Sequence, residues 1–231
     1  MKIGIMQPYF FPYMGYWQLI NAVDKYVIYD DVNFIKNGWI NRNFILLNNE
    51  KHLITLPLES ASPSKLINEI FITKDQKSKT KLLRTIQQAY AKAPYLDKVF
   101  PVINKFIEEN QVISLAVYNS ILDIVKYLEI DTEILISSKI DKNNELKAQE
   151  KVIHITKLLQ GTEYFNSIGG KDLYNTQDFQ KEGIELAFLS SKPVPYKQFN
   201  SKFVSDLSII DVLMFNPPHK IKEMLLSYDI F

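Results

Sequence analysis

The sequence predicts an α/β fold: a parallel sheet flanked by helices, with a β-hairpin and a helical insertion. Three observations predict it. Residues 2–6, 14–23 and 25–31 read strand, helix, strand within the first 31 residues, the span of a βαβ unit, and a right-handed crossover lays two such strands parallel. Residues 133–189 repeat the alternation of strand and helix. Between the first strand and helix stands Met6-Gln7-Pro8-Tyr9-Phe10-Phe11-Pro12-Tyr13-Met14-Gly15-Tyr16. Its two prolines fix φ and remove donors, so no regular element crosses it. A solvated connector favours Gly, Ser, Asn and Asp, whereas this one is aromatic. It is either an arm packed into its own core or the lip of a ligand site.

The elements follow in order. Residues 14–23 place Tyr16, Leu19, Ile20 and Val23 at helical spacing, and residues 25–31 form a β-branched, aromatic strand ending in two acids. Ligands bind beyond the carboxyl ends of parallel strands, which puts residues 7–13 and Asp30-Asp31 on one rim. Residues 32–41 are a loop. Residues 42–47 and 51–58 flank Asn48-Asn49-Glu50 as a hairpin. Residues 67–72 read as a strand. Helices are expected over 76–92, 95–109 and 113–128, with Pro101 kinking or splitting the second. Residues 76–128 would insert into a single domain spanning residues 1–231. A strand at 133–137, a helix at 144–160 stopped by Gly161, a strand at 163–166, a glycine-bearing loop at 167–171, a short helix ending at 178–182 and a last buried strand at 184–189 complete the body. Helices at 205–215 and 221–228 flank Pro217-Pro218.

At 231 residues the chain can bury a core without staples. It has no cysteine, which removes disulfides, thiol nucleophiles and thiolate metal sites together and fits a reducing compartment. A net charge of +1 leaves no footprint for bulk nucleic-acid binding. The N-terminus lacks a long apolar signal region, and no apolar run reaches the roughly 20 residues of a membrane span. A cytoplasmic protein is expected.

Several residues can carry chemistry. Asp30 and Asp31 end a strand and point to opposite faces, so they are not a dyad; either one can bind a ribose, hold Mg²⁺ or act as a base, or simply terminate the strand. Lys36 and Arg42 suit a phosphate or carboxylate, and Trp39 offers a stacking face, unless they are only exposed cations around a packed indole. Gly169-Gly170 follows a strand and allows close backbone approach to a phosphate, as an ordinary Gly-Gly turn would too; it is not a P-loop. Ser205 or Asp206 would cap the helix at 205–215, with Ser208 and Asp211 bracing it or reaching a ligand. His52, His154 and His219 show no ligand spacing, so no metal site is expected, and His154 reads as core or pocket wall.

The turn at 5–16, Val27-Ile28-Tyr29-Asp30-Asp31-Val32, Lys36-x-Gly38-Trp39-Ile40-Asn41-Arg42-Asn43, Tyr196-x-Gln198 and Leu207-Ser208-Ile209-Ile210-Asp211 together resemble the WbqC-like protein family over nearly the whole chain. Asn216-Pro217-Pro218 departs from the glycine more usual after that Asn. The resemblance implies a place in bacterial O-antigen and capsular polysaccharide clusters, and acyl or aminoacyl transfer, glycine included, to the amine of a nucleotide-linked amino sugar. Asp30 or Asp31 would then be the base, with His154 as the outsider. Tyr9, Tyr13 and Trp39 would stack base or sugar, with Tyr196 and Gln198 beside them. Lys36, Arg42 and the Gly169-Gly170 amides would hold the pyrophosphate. Gln7 or Asn41 would donate to the oxyanion. Acyl-CoA, an acyl-adenylate made from ATP with Mg²⁺, and aminoacyl-tRNA all stand as donors. Neither the sugar nor the oligomeric state is written in these motifs. A fainter similarity, to nucleotidyltransferases with a His-x-Gly-His signature, places Tyr13-Met14-Gly15-Tyr16 at that signature without either histidine. It implies Rossmann-like architecture and argues against chemistry at an ATP α-phosphate. A carboxylate-activating ligase and a non-catalytic nucleotide-sugar binder are the competing expectations.

Overall fold

A computed structural model describes residues 1–108, 111–200 and 202–231. Ile3, Gly4 and Ile5 are all buried, as in a strand covered on both faces; Lys2–Met6 is β1, the centre of the sheet. After the proline turn come α1 (Met14–Ala22) and β2 (Lys25–Ile28). The hairpin pairs β3 (Arg42–Leu47) with β4 (Glu50–Thr55). Its turn is Asn48-Asn49 alone, both left-handed at φ 52° and 65°, the form that two asparagines tolerate; Glu50 pairs with Leu47 and belongs to the strand. The strand expected at 67–72 is a 3₁₀ turn over Ile67–Glu69, closed by the Leu66 N–H on the Glu69 carboxylate at 2.8 Å. Only Phe71–Ile72 (β6) pairs, with β5 (Leu58–Glu59).

Helices α2 (Gln76–Ala89), α3 (Leu96–Glu108) and α4 (Ile113–Leu128) follow. Residue 109, the expected end of the second of these, lies outside the described residues. Pro101 sits inside α3 without splitting it, because the carbonyl it leaves unpaired belongs to exposed Asp97. Then come β7 (Glu133–Ile136), α5 (Ala148–Leu158), β8 (Glu163–Ser167), α6 (Thr176–Lys181) and β9 (Glu185–Ser191). At the end of α5 it is Gln160, at φ 60°, that turns left-handed; Gly161 is needed for space, since a Cβ there would lie 2.5 Å from Ile3 and 2.7 Å from Thr156. The expected glycine loop after β8 is a 3₁₀ turn over Ile168–Leu173.

The C-terminal quarter departs most from expectation. α7 (Ile209–Phe215) starts four residues late: Ser208, not Ser205 or Asp206, is the cap, its Oγ accepting from the Ile210 N–H at 3.2 Å. Pro218 opens α8 (Pro218–Met224), as proline does at a first helical position, instead of ending a helix. The end of the helix expected at 221–228 is β10 (Tyr228–Ile230), antiparallel to β9, so β9 is not the last strand.

The sheet order is β10-β9-β8-β1-β2-β7, parallel throughout except for β10. From β1 the chain builds outward through β2 to β7, then returns to β8 on the other side of β1. The strand order therefore reverses between β1 and β8. Alternate residues feed two apolar clusters. Ile3, Ile5 and Val27 face Val152 and Ile155 of α5 and Phe179 of α6, while Tyr26 and Ile28 join α1–α4 and α7.

The proline turn is packed and bonded from several sides. Phe10 and Phe11 are buried and meet Phe106 of α3 at ring separations of 5.4 and 5.0 Å. The Asn43 amide donates to the carbonyls of Phe10 (3.1 Å) and Phe11 (2.8 Å), and Ser208 Oγ donates to Phe11 (2.6 Å). Pro12 O accepts from Trp17 Nε1 and the Ile209 N–H; Gln7 O accepts from the Tyr16 hydroxyl. Removing a donor leaves a buried carbonyl unpaired, at a cost of about 1–3 kcal/mol. Asn43→Ala and Ser208→Ala are each expected to lower unfolding free energy by about that much, and the pair together by more than the sum, because Phe11 O keeps one donor in each single variant and none in the double. Urea denaturation monitored by tryptophan fluorescence reads both.

Candidate functional site

Where strand order reverses in a parallel sheet, loops leaving the carboxyl ends diverge and open a crevice. Here that crevice is a cleft of about 590 Å³. Gln7, Tyr9 and Tyr13 supply one wall, Tyr29 beyond β2 and Trp39 of the following loop a second, and Asn166 at the end of β8 with Gly169, Gly170 and Tyr174 beyond it a third. Six of the residues expected at the rim thus meet: Gln7, Tyr9, Tyr13, Trp39, Gly169 and Gly170. Tyr13 (36 % exposed) and Trp39 (42 %) offer ring faces. Tyr13 lies flat over Gly15, where a Cβ would come within 2.5 Å of its ring, so the glycine sets the ring's position. Gly170 is held against Asn166, whose Oδ1 would lie 3.1 Å from a Cβ there, while Gly169 faces open space.

The third wall rests on a polar cluster that no spacing announced. Asn166 Nδ2 donates to the hydroxyls of Tyr164 (2.7 Å) and Tyr174 (3.0 Å), and its Oδ1 accepts from the Ser167 N–H (2.7 Å). Burial pushes the hydroxyl pKa values of Tyr9, Tyr29 and Tyr174 up. All three are neutral hydrogen-bonding groups at ordinary pH. No carboxylate and no cation lines this cleft among the described residues.

The two acids lie beneath the rim and are engaged. Asp30 is buried, with its oxygens accepting from the Ser138 N–H (2.9 Å) and Oγ (2.7 Å), which ties the end of β2 to the turn after β7. Burial raises its pKa, and the Ser138 bonds only partly oppose this. Asp31 bridges Lys142 (2.9 Å) and Lys151 (2.8 Å), three side chains almost withdrawn from water. Burial alone would raise the Asp31 pKa; the bonds from Lys151 and Lys142 outweigh it and hold the carboxyl below its ordinary value. Lys151 also lies 5.4 Å from the centre of the Tyr29 ring, so this ion cluster backs the cleft without opening into it.

The remaining candidates sit elsewhere. His154 is outside the cleft, its Nε2 accepting from the Asn143 N–H at 3.3 Å. Asn41 donates to Leu56 O at 3.0 Å. Arg42 donates to Gly38 O (3.0 Å) and Asn37 O and covers Trp39 at 5.8 Å, bracing the loop that presents the indole. Lys36 is exposed on that loop between the lining residues Ile35 and Trp39. Tyr196 (2.5 Å) and Gln198 (2.7 Å) both donate to Asp211 Oδ2, while Tyr90 donates to Oδ1 at 2.9 Å. Tyr90 in turn accepts from Leu46 N–H at 3.1 Å, so Asp211, which the sequence offered as a brace or a ligand contact, ties α2, α7 and the hairpin together.

The WbqC-like protein family matches residues 7–223 of the chain. A protein of Mycobacterium tuberculosis (strain ATCC 25618 / H37Rv) that bears the name Uncharacterized protein Rv1507c is 26 % identical over 219 residues, covering 93 % of each chain. No solved structure matches the chain. No helix among the described residues is long and apolar enough to cross a membrane.

A carboxyl whose pKa falls on folding stabilises the native state fully above its unfolded value near 3.8 and loses that contribution as pH drops through the folded value. The Asp31 contribution is therefore expected to disappear below about pH 4. Asp31→Asn leaves two buried ammonium groups unpaired and is expected to cost about 3–5 kcal/mol at neutral pH, with a flatter stability profile on acidification. Urea titrations from pH 3 to 7 compare the two proteins.

Proposed function

The chain belongs to the WbqC-like protein family, and on that premise we propose that its cleft binds a nucleotide-linked amino sugar and that the protein transfers an acyl or aminoacyl group, such as glycyl, to the sugar's amine in bacterial surface-polysaccharide synthesis. The observation that carries this reading is the wall chemistry: exposed ring faces of Tyr13 and Trp39 set among neutral amides and hydroxyls at the strand-order reversal. Ring faces stack a base or the apolar face of a sugar, and amides such as Gln7 and Asn166 suit its hydroxyls. In the reaction the sugar nitrogen attacks the acyl carbon, the bond from that carbon to the donor breaks, and the ammonium proton leaves with the departing group or to water. Gln7 remains the nearest candidate for the oxyanion, whereas Asn41 is committed to Leu56. Asp30 and Asp31 act by holding the rim in place. An amine entering the cleft loses water without meeting a carboxylate, which favours its neutral, nucleophilic form and relieves the need for a protein base.

That same absence of a lining carboxylate favours a second reading, a binding protein that presents a nucleotide sugar to another enzyme. Purified protein incubated with UDP- and dTDP-amino sugars and each donor class separates the two. An amide product in the mass spectrum is expected. Stabilisation by the sugar with no product from any donor would leave the binding reading, and neither product nor stabilisation would defeat both.

Base–aromatic stacking contributes about 1–3 kcal/mol. Trp39→Ala and Tyr13→Ala are each expected to weaken nucleotide-sugar affinity about tenfold or more by calorimetry. Gly15→Ala is expected to swing the Tyr13 ring off its seat and weaken binding as well, while thermal stability holds, because alanine is the better helix former.

A further inference from the structure

A groove of about 530 Å³ lies between α3 and α4, and its deep end reaches Phe11 of the proline turn and Ile210 and Leu213 of α7. Val99, Ile103, Ile124, Ile210 and Leu213 line it, and each is at most 5 % exposed. The floor is therefore nearly closed, and the apolar surface open to a ligand lies above it, on Pro101, Val102 and Tyr127. The rim carries a net positive charge. Lys98, Lys105 and Lys126 stand around the opening with one acid, Asp123, which lies 2.8 Å from Lys105. No partner for Lys98 or Lys126 is found among the described residues. A two-fold contact of this face with a second copy would bring like charges together, which disfavours self-association through it.

An apolar slot with a cationic mouth is complementary to one class of small molecule. We propose that the groove binds a single aliphatic chain carrying an anionic head, with the tail along Pro101, Val102 and Tyr127 and the head between Lys98 and Lys126. The site is separate from the cleft, with which it shares no lining residue, and does not depend on the function proposed for that cleft. A fatty carboxylate and an alkyl phosphate present the same chemistry, and both serve as probes.

Isothermal calorimetry below the micellar concentration tests it with laurate, dodecyl phosphate and dodecyltrimethylammonium on the full chain. The two anions are expected to bind at least tenfold tighter than the cation, and a preference between them identifies the head. Lys98→Glu with Lys126→Glu, at exposed positions, is expected to weaken the anions tenfold or more and to erase the discrimination. Val102→Trp, which fills the groove, is expected to abolish binding of all three with an unchanged circular dichroism spectrum. Trp39→Ala is expected to leave laurate affinity within twofold. Absence of anion binding, equal affinity for the two charge types, or anion binding that survives the double charge reversal would each overturn the proposal.

Discussion

Carbonyl groups in a proline-rich turn have no ladder to join, and each one buried without a donor costs as much as a lost hydrogen bond. Residues 7–13 meet that constraint by recruiting donors from across the fold. Tyr16 and Trp17 come from α1, Asn43 from β3, Ser208 and Ile209 from the start of α7. The neighbouring helix α1 and two elements distant in sequence, β3 and α7, are thereby fastened to one segment at the carboxyl end of β1. The hairpin cannot be detached from the body without taking the Asn43 donor from Phe10 O and Phe11 O, and α7 cannot be moved without also uncapping itself, since Ser208 serves both.

With its carbonyls tied inward, the turn directs its side chains in two directions. Phe10 and Phe11 go into the helical layer, while Tyr9 and Tyr13 go to the cleft. The packed-arm reading of this stretch describes one face of the segment, and the other face lines the cleft. The acids follow a similar logic. Adjacent on a strand end, they part to opposite sides, Asp30 to Ser138 and Asp31 to a lysine pair. Both strengthen the junction of β2 and β7 that carries the rim, and neither faces the cavity.

Local signals were legible where the chain's own chemistry suffices. The parallel sheet follows from alternating strand and helix, the hairpin from two asparagines, α1 from its apolar period, and part of the cleft's lining from an aromatic turn and a Gly-Gly pair. The rest depends on partners far along the chain. Nothing near Asp31 announces Lys142 or Lys151, and nothing near Ser208 announces Phe11 O, 197 residues away. β10 overlaps the helix expected at 221–228 only at Tyr228; it is a strand because β9 offers an edge. Tyr29, Asn166 and Tyr174 carry no motif and enter the cleft through the register of β2 and β8 against β1.

Phe11 holds a left-handed backbone at φ 42°, a conformation that bulky residues rarely adopt and that stores about 1–3 kcal/mol. It is also the residue at which the turn touches the lysine-rimmed groove, two positions before Tyr13. The two hydrogen bonds that Phe11 O accepts, from Asn43 and Ser208, hold this peptide unit away from its preferred well. If it relaxes, the groove floor and the cleft lip move together, and thermodynamic reciprocity then requires that whatever fills one cavity shift affinity at the other by the same factor.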